Sequence, residues 1–531
     1  MLSHIISDMW SWGCELISNL NNSFERSTFT ISLVVLATLW YSWLLFIKSR
    51  KPQRELPLPP GPSGLPFVGN LPFIDPDVHR CFADWARTYG PIMKIRLGQK
   101  LCVVLSSTAL AKEALRDYDT IFADRDTPTT MMTLTYGGND LVWSSYGQTW
   151  RMLRKVCVGE MLSKTSLDTM YATRRREVRR TIREVHGMIG KPINMGDQMF
   201  LTMSNLITSM LWGVTLKDED RNSVGAEFRR LVSDILKLST SRNLADIFPL
   251  GGLDVQGLNG RTKVLMPRLD EFFDSIVERR EMKMEGGGEE RGGDLLQWFL
   301  RKEAGDSEDK QGMTMMHIKS LFMDMVVAGT DTSSVTVEWA MAELMNNPQV
   351  LKRAQEELAH VVGMNGTVEE HHLPKLHYLN ATIKEVMRVH PVAPLLLPRR
   401  SRETCTLNGY TIPKGAQILV NTWAIHRDPE NWDNPTEFEP ERFLKGNMKW
   451  DYNGNDFRYL PFGSGRRICA GIALVERMMP HVLGSLLHSF NWRLAEGTEL
   501  DLTEKFMIIL KKAKPTVLVA EPRLSNPELY A

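Results

Sequence analysis

Ten residues near the C-terminal end combine a soft metal ligand with cations and glycines. They read FGSGRRICAG, Phe462–Gly471, and a helical pattern follows from Ile472. A cysteine leading into a helix N-terminus beside arginines has a lowered pKa, and glycines let backbone N–H groups approach the sulfur. This favours a thiolate ligand of haem iron over zinc, which needs three or four protein ligands. A buried structural cysteine in a glycine-rich turn is the alternative that this stretch leaves open.

The loop resembles a known signature, that of the haem-thiolate cytochrome P450 monooxygenases. The resemblance rests on the order of Phe462, Gly465, Arg467, Cys469 and Gly471. It implies that Cys469 is the axial ligand of the iron in haem b (iron protoporphyrin IX) and that dioxygen is a substrate. The remaining motifs of the chain test this implication.

A long helical pattern, from about Thr314 to Met345, contains the run AGTDTS, residues 328–333. Gly329 removes bulk where a flat cofactor or dioxygen could lie against the backbone, at a helix cost of about 1 kcal/mol. The Thr332 hydroxyl can bond the carbonyl of Ala328 and widen the turn. Together with Asp331 such a turn could deliver protons. An irregular turn of a buried helix explains the run equally well, but beside the cysteine loop it resembles the family's oxygen-activating motif.

Other motifs supply a scaffold and cations for the two propionates of haem. Glu385 and Arg388 share a helix face at i, i+3, and the family buries such a pair against the arginine of a PERF segment, here Arg442. The resemblance gives these residues a structural role. It also implies propionate contacts from the WxxxR segment, and from arginines in the turn after Val392–Pro398 and in the cysteine loop. The residues are Trp150, Arg154, Arg399 and Arg467.

Rival cofactor sites are poorly supported by the sequence. The histidines at 371, 372 and 377 lie in a polar stretch without an HExxH pattern and are interpreted as solvated. The chain has neither a GxxxxGK[ST] motif nor a GxGxxG motif after a strand. Electrons must therefore come from another protein, and the resemblance implies NADPH–cytochrome P450 reductase.

The composition argues against a nucleic-acid-binding protein and against a disulfide-stabilised one. The chain has 531 residues, 43% hydrophobic and 24% charged, with a formal net charge of +1. No global field indicates nucleic acid as a partner. The six cysteines are scattered, without a CxxC pair. A disulfide framework is therefore not expected, and a reducing compartment is favoured.

An uncharged run of twenty residues, Thr28–Ile47, is long enough to cross a bilayer as a helix. Basic residues follow it at once, which places the bulk of the chain on the cytosolic side. A cleaved signal peptide is the rival interpretation, but the run is too long and the basic cluster comes after it. The prediction is a single-pass protein of the endoplasmic reticulum membrane. Its parts are a lumenal N-terminus (1–27), an anchor (28–47), a basic and proline-rich hinge (48–70) and a cytosolic catalytic domain (71–531).

Coarse periodicity predicts a mainly α domain with a small β subdomain, which the resemblance specifies as the cytochrome P450 fold. Predicted helices include Pro348–Val362 and Leu379–Val389, with strands near Ile92–Leu97 and Tyr410–Ile412. The stretch Thr127–Val142 has no clear period and is predicted to be a loop.

The resemblance is strongest to the plant microsomal branch, and in particular to terpenoid (sesquiterpene) hydroxylases. It implies insertion of one oxygen atom into a small lipophilic substrate. The family's substrate-contact segments fall at 127–142, in the middle of the long helix, at 392–397 and at 506–510. Two alternatives remain: a reductase-independent haem-thiolate isomerase or dehydratase, and a membrane haem sensor or carrier without turnover. Intact Asp331 and Thr332 disfavour the isomerase.

Overall fold

The computed structural model describes residues 56–213, 253–285, 294–304, 313–446 and 450–531, most of 230–248 and part of 31–42. The predicted anchor lies largely outside the described residues. Within the described part of the chain, no helix has the length and apolar character to cross a membrane.

The described helices account for most of the regular structure. Their bounds are α1 (Val78–Tyr89), α2 (Thr108–Lys112), α3 (Thr129–Leu134), α4 (Gln148–Val156), α5 (Lys164–Thr169), α6 (Tyr171–His186), α7 (Met195–Trp212), α8 (Leu244–Ile247), α9 (Leu258–Glu285), α10 (Leu295–Ala304), α11 (Met315–Asn346), α12 (Pro348–Val362), α13 (His377–Val389), α14 (Thr422–Ile425) and α15 (Ile472–Ser489).

The strands are short, with at most six residues each. They are β1 (Ile92–Leu97), β2 (Lys100–Leu105), β3 (Asp124–Arg125), β4 (Pro192–Asn194), β5 (Arg399–Arg400), β6 (Cys405–Leu407), β7 (Tyr410–Ile412), β8 (Gln417–Val420), β9 (Phe490–Leu494), β10 (Glu504–Phe506), β11 (Leu510–Lys512) and β12 (Val517–Pro522).

The largest sheet has the order β1-β2-β8-β5-β3, in which only β2 and β8 run parallel. A second sheet has the order β4-β12-β9, and the pairs β6-β7 and β10-β11 are separate hairpins. The predicted class, mainly α with a small β component, is confirmed.

Helix α11 organises the core. It has 32 residues and is therefore about 48 Å long. The Thr314 side chain caps its first turn, and Pro348 starts α12 directly after the helix ends. Most of α11 is buried, and it packs most extensively against α7. A helix that is apolar on all sides belongs inside a protein, and this position brings the run at 328–333 to the centre of the molecule.

The prediction of a loop at 127–142 is wrong in part, because the segment contains α3. Its sequence has weak helix propensity, and contacts distant in the chain hold it. The Thr129 backbone N–H and hydroxyl both donate to Asp246, at 2.9 and 2.6 Å, and the Tyr136 hydroxyl donates to Asp270 at 2.7 Å. Tertiary contacts here override local preference.

Candidate active site

The cysteine loop is a tight turn that closes on itself before α15. The Cys469 backbone N–H donates to the Phe462 carbonyl at 3.0 Å, and Gly465–Arg467 form a 3₁₀ turn between them. Gly465 has a φ of +70°, and a Cβ at this position would lie 2.2 Å from the Leu115 carbonyl oxygen. Only glycine combines that backbone conformation with that approach.

We expect Gly465→Ala to disrupt the cysteine loop and to lower haem content and thermal stability together, because the added Cβ meets a backbone atom that has little freedom to move. Haem absorbance per folded protein measures the effect. The matched control is Gly497→Ala. Gly497 has a φ of +74° with no heavy atom within 4 Å of the added Cβ, so only the left-handed strain of about 1–2 kcal/mol applies. Equal behaviour of the two variants would contradict the prediction.

Cys469 presents its sulfur to an internal cavity. Protein atoms surround the residue, and its accessible surface is the part that borders the cavity. The Gly471 backbone N–H donates to Sγ at 3.3 Å. Burial raises the pKa of the metal-free thiol, and the Gly471 N–H and the Arg154 guanidinium act in the opposite direction. The lowered pKa predicted from sequence is therefore wrong for the thiol alone, because desolvation outweighs both effects.

The cavity, about 400 Å³, lies between the cysteine loop and α11. Ala328, Gly329, Asp331 and Thr332 line it from α11, and Cys469 lines it from the cysteine loop. Each of the four segments predicted to contact substrate contributes lining residues, among them Met131, Leu134, Val392, Leu397 and Ile509. The volume is within the range of small-molecule sites, roughly 300–1,000 Å³.

The predicted proton-delivery residues have defined partners. The Thr332 hydroxyl donates to the Ala328 carbonyl at 2.5 Å, as predicted, but the helix stays α-helical instead of widening. Asp331 Oδ1 accepts from Lys511 Nζ at 2.7 Å, a contact that the sequence did not indicate. A Cβ on Gly329 would lie 2.6 Å from Ile207 Cδ1 of α7, so the missing side chain also permits close packing of two helices.

Basic residues gather on one side of the cavity. Arg154, Arg399 and Arg467 line it together with Trp150. The Arg467 guanidinium carbon is 4.7 Å from the Trp150 ring centroid. A fourth arginine, Arg125 of β3, also lines the cavity. Sequence reasoning missed it, because no motif surrounds it and only the pairing of β3 with β5 places it beside Arg399.

These guanidinium groups donate mainly to neutral carbonyls. Arg467 donates to the carbonyls of Ala123, Leu141 and Ser144, at 2.5–3.2 Å, and Arg154 donates to that of Ile468 at 2.7 Å. Arg399 has one carboxylate partner, Asp119, at 3.2 Å.

Burial and the proximity of other arginines lower the pKa of two of these guanidinium groups. Burial and the neighbouring Arg399 lower the pKa of Arg467 to about 10. Burial, Arg467 and Arg399 lower the pKa of Arg125 well below its usual value. Such a surplus of buried positive charge suits an anionic ligand. A cysteine facing a cavity that arginines border is the donor set that haem, with its iron and two propionates, requires, so the residues fit this cofactor.

A buried ion-pair cluster lies behind the site. Arg388 forms two parallel hydrogen bonds with Glu385, at 2.7 and 2.8 Å, and both residues are fully buried. Arg442 Nε donates to Glu385 at 3.0 Å. The ExxR and PERF motifs thus meet in one cluster of Glu385, Arg388 and Arg442. It does not reach the cavity, in agreement with a structural role.

The fold is mainly helical, and the residues of the site fit a haem that a cysteine ligates. The family model for cytochrome P450 matches residues 59–519, so the chain belongs to the cytochrome P450 family, and the family implies a haem cofactor. The enzyme is a P450 monooxygenase. A zebra fish cytochrome P450 solved with abiraterone is similar over 85% of this chain and 100% of its own, with a TM-score of 0.71 and 24% identity, and supports the fold alone.

Two curated relatives from plants are similar to nearly the whole chain. A flavonoid 3'-monooxygenase of Crocosmia x crocosmiiflora is 39% identical over 92% of this chain and 98% of its own length. A geraniol 8-hydroxylase of Swertia mussotii is 38% identical over 94% of this chain and 99% of its own. The chain is thus related to flavonoid 3'-hydroxylases and to geraniol 8-hydroxylases.

Proposed function

We propose that this monooxygenase binds haem b through Cys469 and inserts one oxygen atom into a small lipophilic terpenoid. The observation that carries the proposal is that Cys469, Asp331 and Thr332 line the same cavity, whose other walls are largely apolar. A relative that hydroxylates geraniol supports the terpenoid class. The sesquiterpene preference expected from sequence remains part of this proposal.

The chain's own residues bind and orient both reactants. Haem held by a cysteine thiolate supplies reductive cleavage of dioxygen, which gives one oxygen atom to the substrate and the other to water. Arg125, Arg154, Arg399 and Arg467, with Trp150, would hold the propionates. The Gly471 N–H, at 3.3 Å from Sγ, tempers the sulfur charge. Phe462, Gly465 and Gly471 shape the loop that fixes the sulfur, and Ala328 and Gly329 lie across the cavity.

Thr332 and Asp331 supply protons in this proposal. Thr332 Oγ1 borders the cavity and exchanges its bond to Ala328 for one to a bound water or reactant. Asp331 Oδ1 receives protons through the Lys511 ammonium, whose side chain is 33% exposed and therefore connects the buried carboxylate to solvent.

We expect Thr332→Ala to uncouple NADPH oxidation from product formation. Removing a positioned proton donor lowers product formed per NADPH by on the order of 10²-fold, and the missing electrons appear as hydrogen peroxide. The control is Thr330→Ala. The Thr330 hydroxyl is buried and has no hydrogen-bond partner among the described residues, so its loss leaves coupling unchanged. Normal coupling in Thr332→Ala would contradict the proton-delivery role.

Electrons in this proposal come from NADPH–cytochrome P450 reductase at the endoplasmic reticulum membrane. The test is turnover in membranes that contain the reductase, with monoterpenes, sesquiterpenes and flavonoids as parallel substrates. Oxygenated terpene products that depend on both NADPH and reductase support the proposal. Turnover of flavonoids alone would overturn the terpenoid assignment and would favour flavonoid hydroxylation, the activity for which another relative is named.

A further inference from the structure

A buried carboxylate outside the cavity begins the hairpin β10–β11. The Glu504 side chain is 2% exposed, and the residue is not among those described as lining the cavity. The two strands of the hairpin pair antiparallel, and Ile508 and Ile509 in the turn between them do line the cavity. Glu504 is therefore separated from the cavity wall by only a few residues of one hairpin.

Both carboxylate oxygens of Glu504 have partners on other elements of the fold. Oε1 lies 3.2 Å from Nδ1 of His390, the residue directly after α13. Oε2 accepts from Arg80 of α1 at 2.6 Å and lies 3.4 Å from His79 Nε2. Both histidines are buried. One carboxylate thus joins the hairpin to α1 and to the end of α13.

His390 extends this connection to the last turn of α11. Its Nε2 lies 2.7 Å from Glu343 Oε1, so each ring nitrogen faces a carboxylate oxygen. An imidazole donates from both nitrogens only in its cationic form, and a buried cation needs such partners. The ring also stacks on Trp339 of α11, with centroids 3.8 Å apart and planes at 6°. His390 therefore connects the hairpin to α11 through two carboxylates.

The surroundings of Glu504 favour its ionised form. Burial raises the pKa of this carboxyl group, but the contacts with His390 and His79 and the charge of Arg427 together hold the pKa well below its usual value. An ionised carboxylate has two accepting oxygens, whereas an amide of the same shape has one. Only the carboxylate can accept on both sides at once.

The second strand of the hairpin has separate attachments. Trp339 Nε1 donates to the Leu510 carbonyl at 3.3 Å, and Lys511 donates to Asp331 at 2.7 Å. The Leu510 N–H donates to the Val392 carbonyl at 2.8 Å. These contacts hold β11, whereas the recorded side-chain hydrogen bonds of β10 come from its first residue. The position of the turn therefore depends on both sets of contacts.

We propose that Glu504, through its contact with His390, is a positioning residue for the turn 507–509. It sets how far Ile508 and Ile509 reach into the cavity and thereby which ligands the cavity prefers. The inference rests on the haem binding of the proposed function and holds for any lipophilic ligand of the cavity. A purely structural role would change the stability of the protein without a change in ligand preference.

The test compares ligand preference in the haem-loaded wild type and in Glu504→Gln. The probes are imidazole and 4-phenylimidazole, which both ligate haem iron through a ring nitrogen, so the ratio of their dissociation constants reports contacts of the phenyl group with the cavity walls. We expect 4-phenylimidazole to lose about fivefold in affinity relative to imidazole, as the loss of roughly one methylene contact implies. An unchanged ratio, or a relative gain in affinity, would overturn the proposal.

Glu370→Gln is the matched control for stability. Glu370 forms two parallel hydrogen bonds with the buried Arg174, at 2.7 and 2.9 Å, and neither residue is among those described as lining the cavity. We expect this variant to unfold at a lower temperature than the wild type and to keep the wild-type affinity ratio. An equal change of the ratio in Glu370→Gln and Glu504→Gln would show a general loss of stability and would overturn the proposal.

A second variant, Arg80→Gln, covers the case in which Glu504→Gln does not fold. Arg80 is a partner of the same carboxylate, but its side chain is 48% exposed, so its loss costs the fold little. Because His390 and His79 still hold Glu504, we expect a smaller effect in the same direction, about twofold in the affinity ratio. The wild-type ratio in Arg80→Gln would then count against the proposal.

Hydrogen exchange locates the effect without any ligand. Backbone amides of residues 504–512 should exchange about tenfold faster in Glu504→Gln, while those of β1 and β2 keep their rates. Unchanged exchange in the hairpin would overturn the proposal. The spectrum of the reduced, CO-treated wild type reports thiolate ligation separately. A normal spectrum with an unchanged affinity ratio rejects the positioning role alone, whereas an abnormal one rejects the proposed function and leaves hydrogen exchange to decide the role of Glu504.

Discussion

Cys469→Ser is expected to abolish the thiolate signature in the reduced, CO-treated spectrum and to reduce monooxygenation below detection. A serine hydroxyl stays protonated near neutral pH and donates little charge to iron, whereas a coordinated cysteine is deprotonated by the metal. The change is nearly isosteric, so the loop hydrogen bond from the residue 469 N–H to Phe462 is retained. The measurement therefore reports the ligand and not the fold.

Cys157 is the matched control for this experiment. It lines the same cavity and is buried, and burial raises its thiol pKa to about 12. Cys157 begins the helical turn that follows α4 and lies outside the glycine-rich loop that presents Cys469. We expect Cys157→Ser to keep the thiolate spectrum. If the spectrum survives in Cys469→Ser and is lost in Cys157→Ser, the ligand assignment is wrong.

The site could be predicted wherever its residues follow one another in sequence. The cysteine loop is a local pattern in which glycines permit the turn. Helix α11 could be predicted from its long apolar pattern and from the proline that follows it. The hydrogen bond from Thr332 to Ala328 follows from helix geometry alone. Each of these features depends on residues within one or two turns of each other.

The contacts that could not be predicted join residues far apart in the chain. Lys511 reaches Asp331 across 180 positions, and no local pattern marks either residue as the other's partner. Arg125 belongs to the cation cluster only because β3 pairs with β5. Helix α3 likewise could not be predicted, because its local helix propensity is weak and contacts with Asp246 hold it. The direction of the pKa shift of Cys469 likewise depends on how deeply the thiol is buried, and burial cannot be read from the sequence.

Glu385→Ala is expected to destabilise the folded protein by about 3–5 kcal/mol, because it leaves the buried Arg388 guanidinium without its carboxylate. Thermal unfolding and resistance to proteolysis measure the loss. The control is Glu521→Gln, which removes a carboxylate from the exposed pair with Arg493, where both side chains are more than half accessible. Exposed pairs contribute little, so this variant should unfold like the wild type. Equal stability of the two variants would contradict the prediction.

We expect Glu385→Ala to lose haem as well as stability, because the ion-pair cluster around Glu385 is connected to the cysteine loop. Arg388 donates to the His426 carbonyl at 2.8 Å, and the His426 ring accepts from the Leu460 N–H at 2.8 Å, just before Phe462. Arg388→Lys tests this connection, since lysine keeps the charge but lacks the planar donors that reach Glu385 and three backbone carbonyls at once. We expect it to lose haem at temperatures where helices persist. A lysine variant that retained haem as firmly as the wild type would show that charge alone holds the loop.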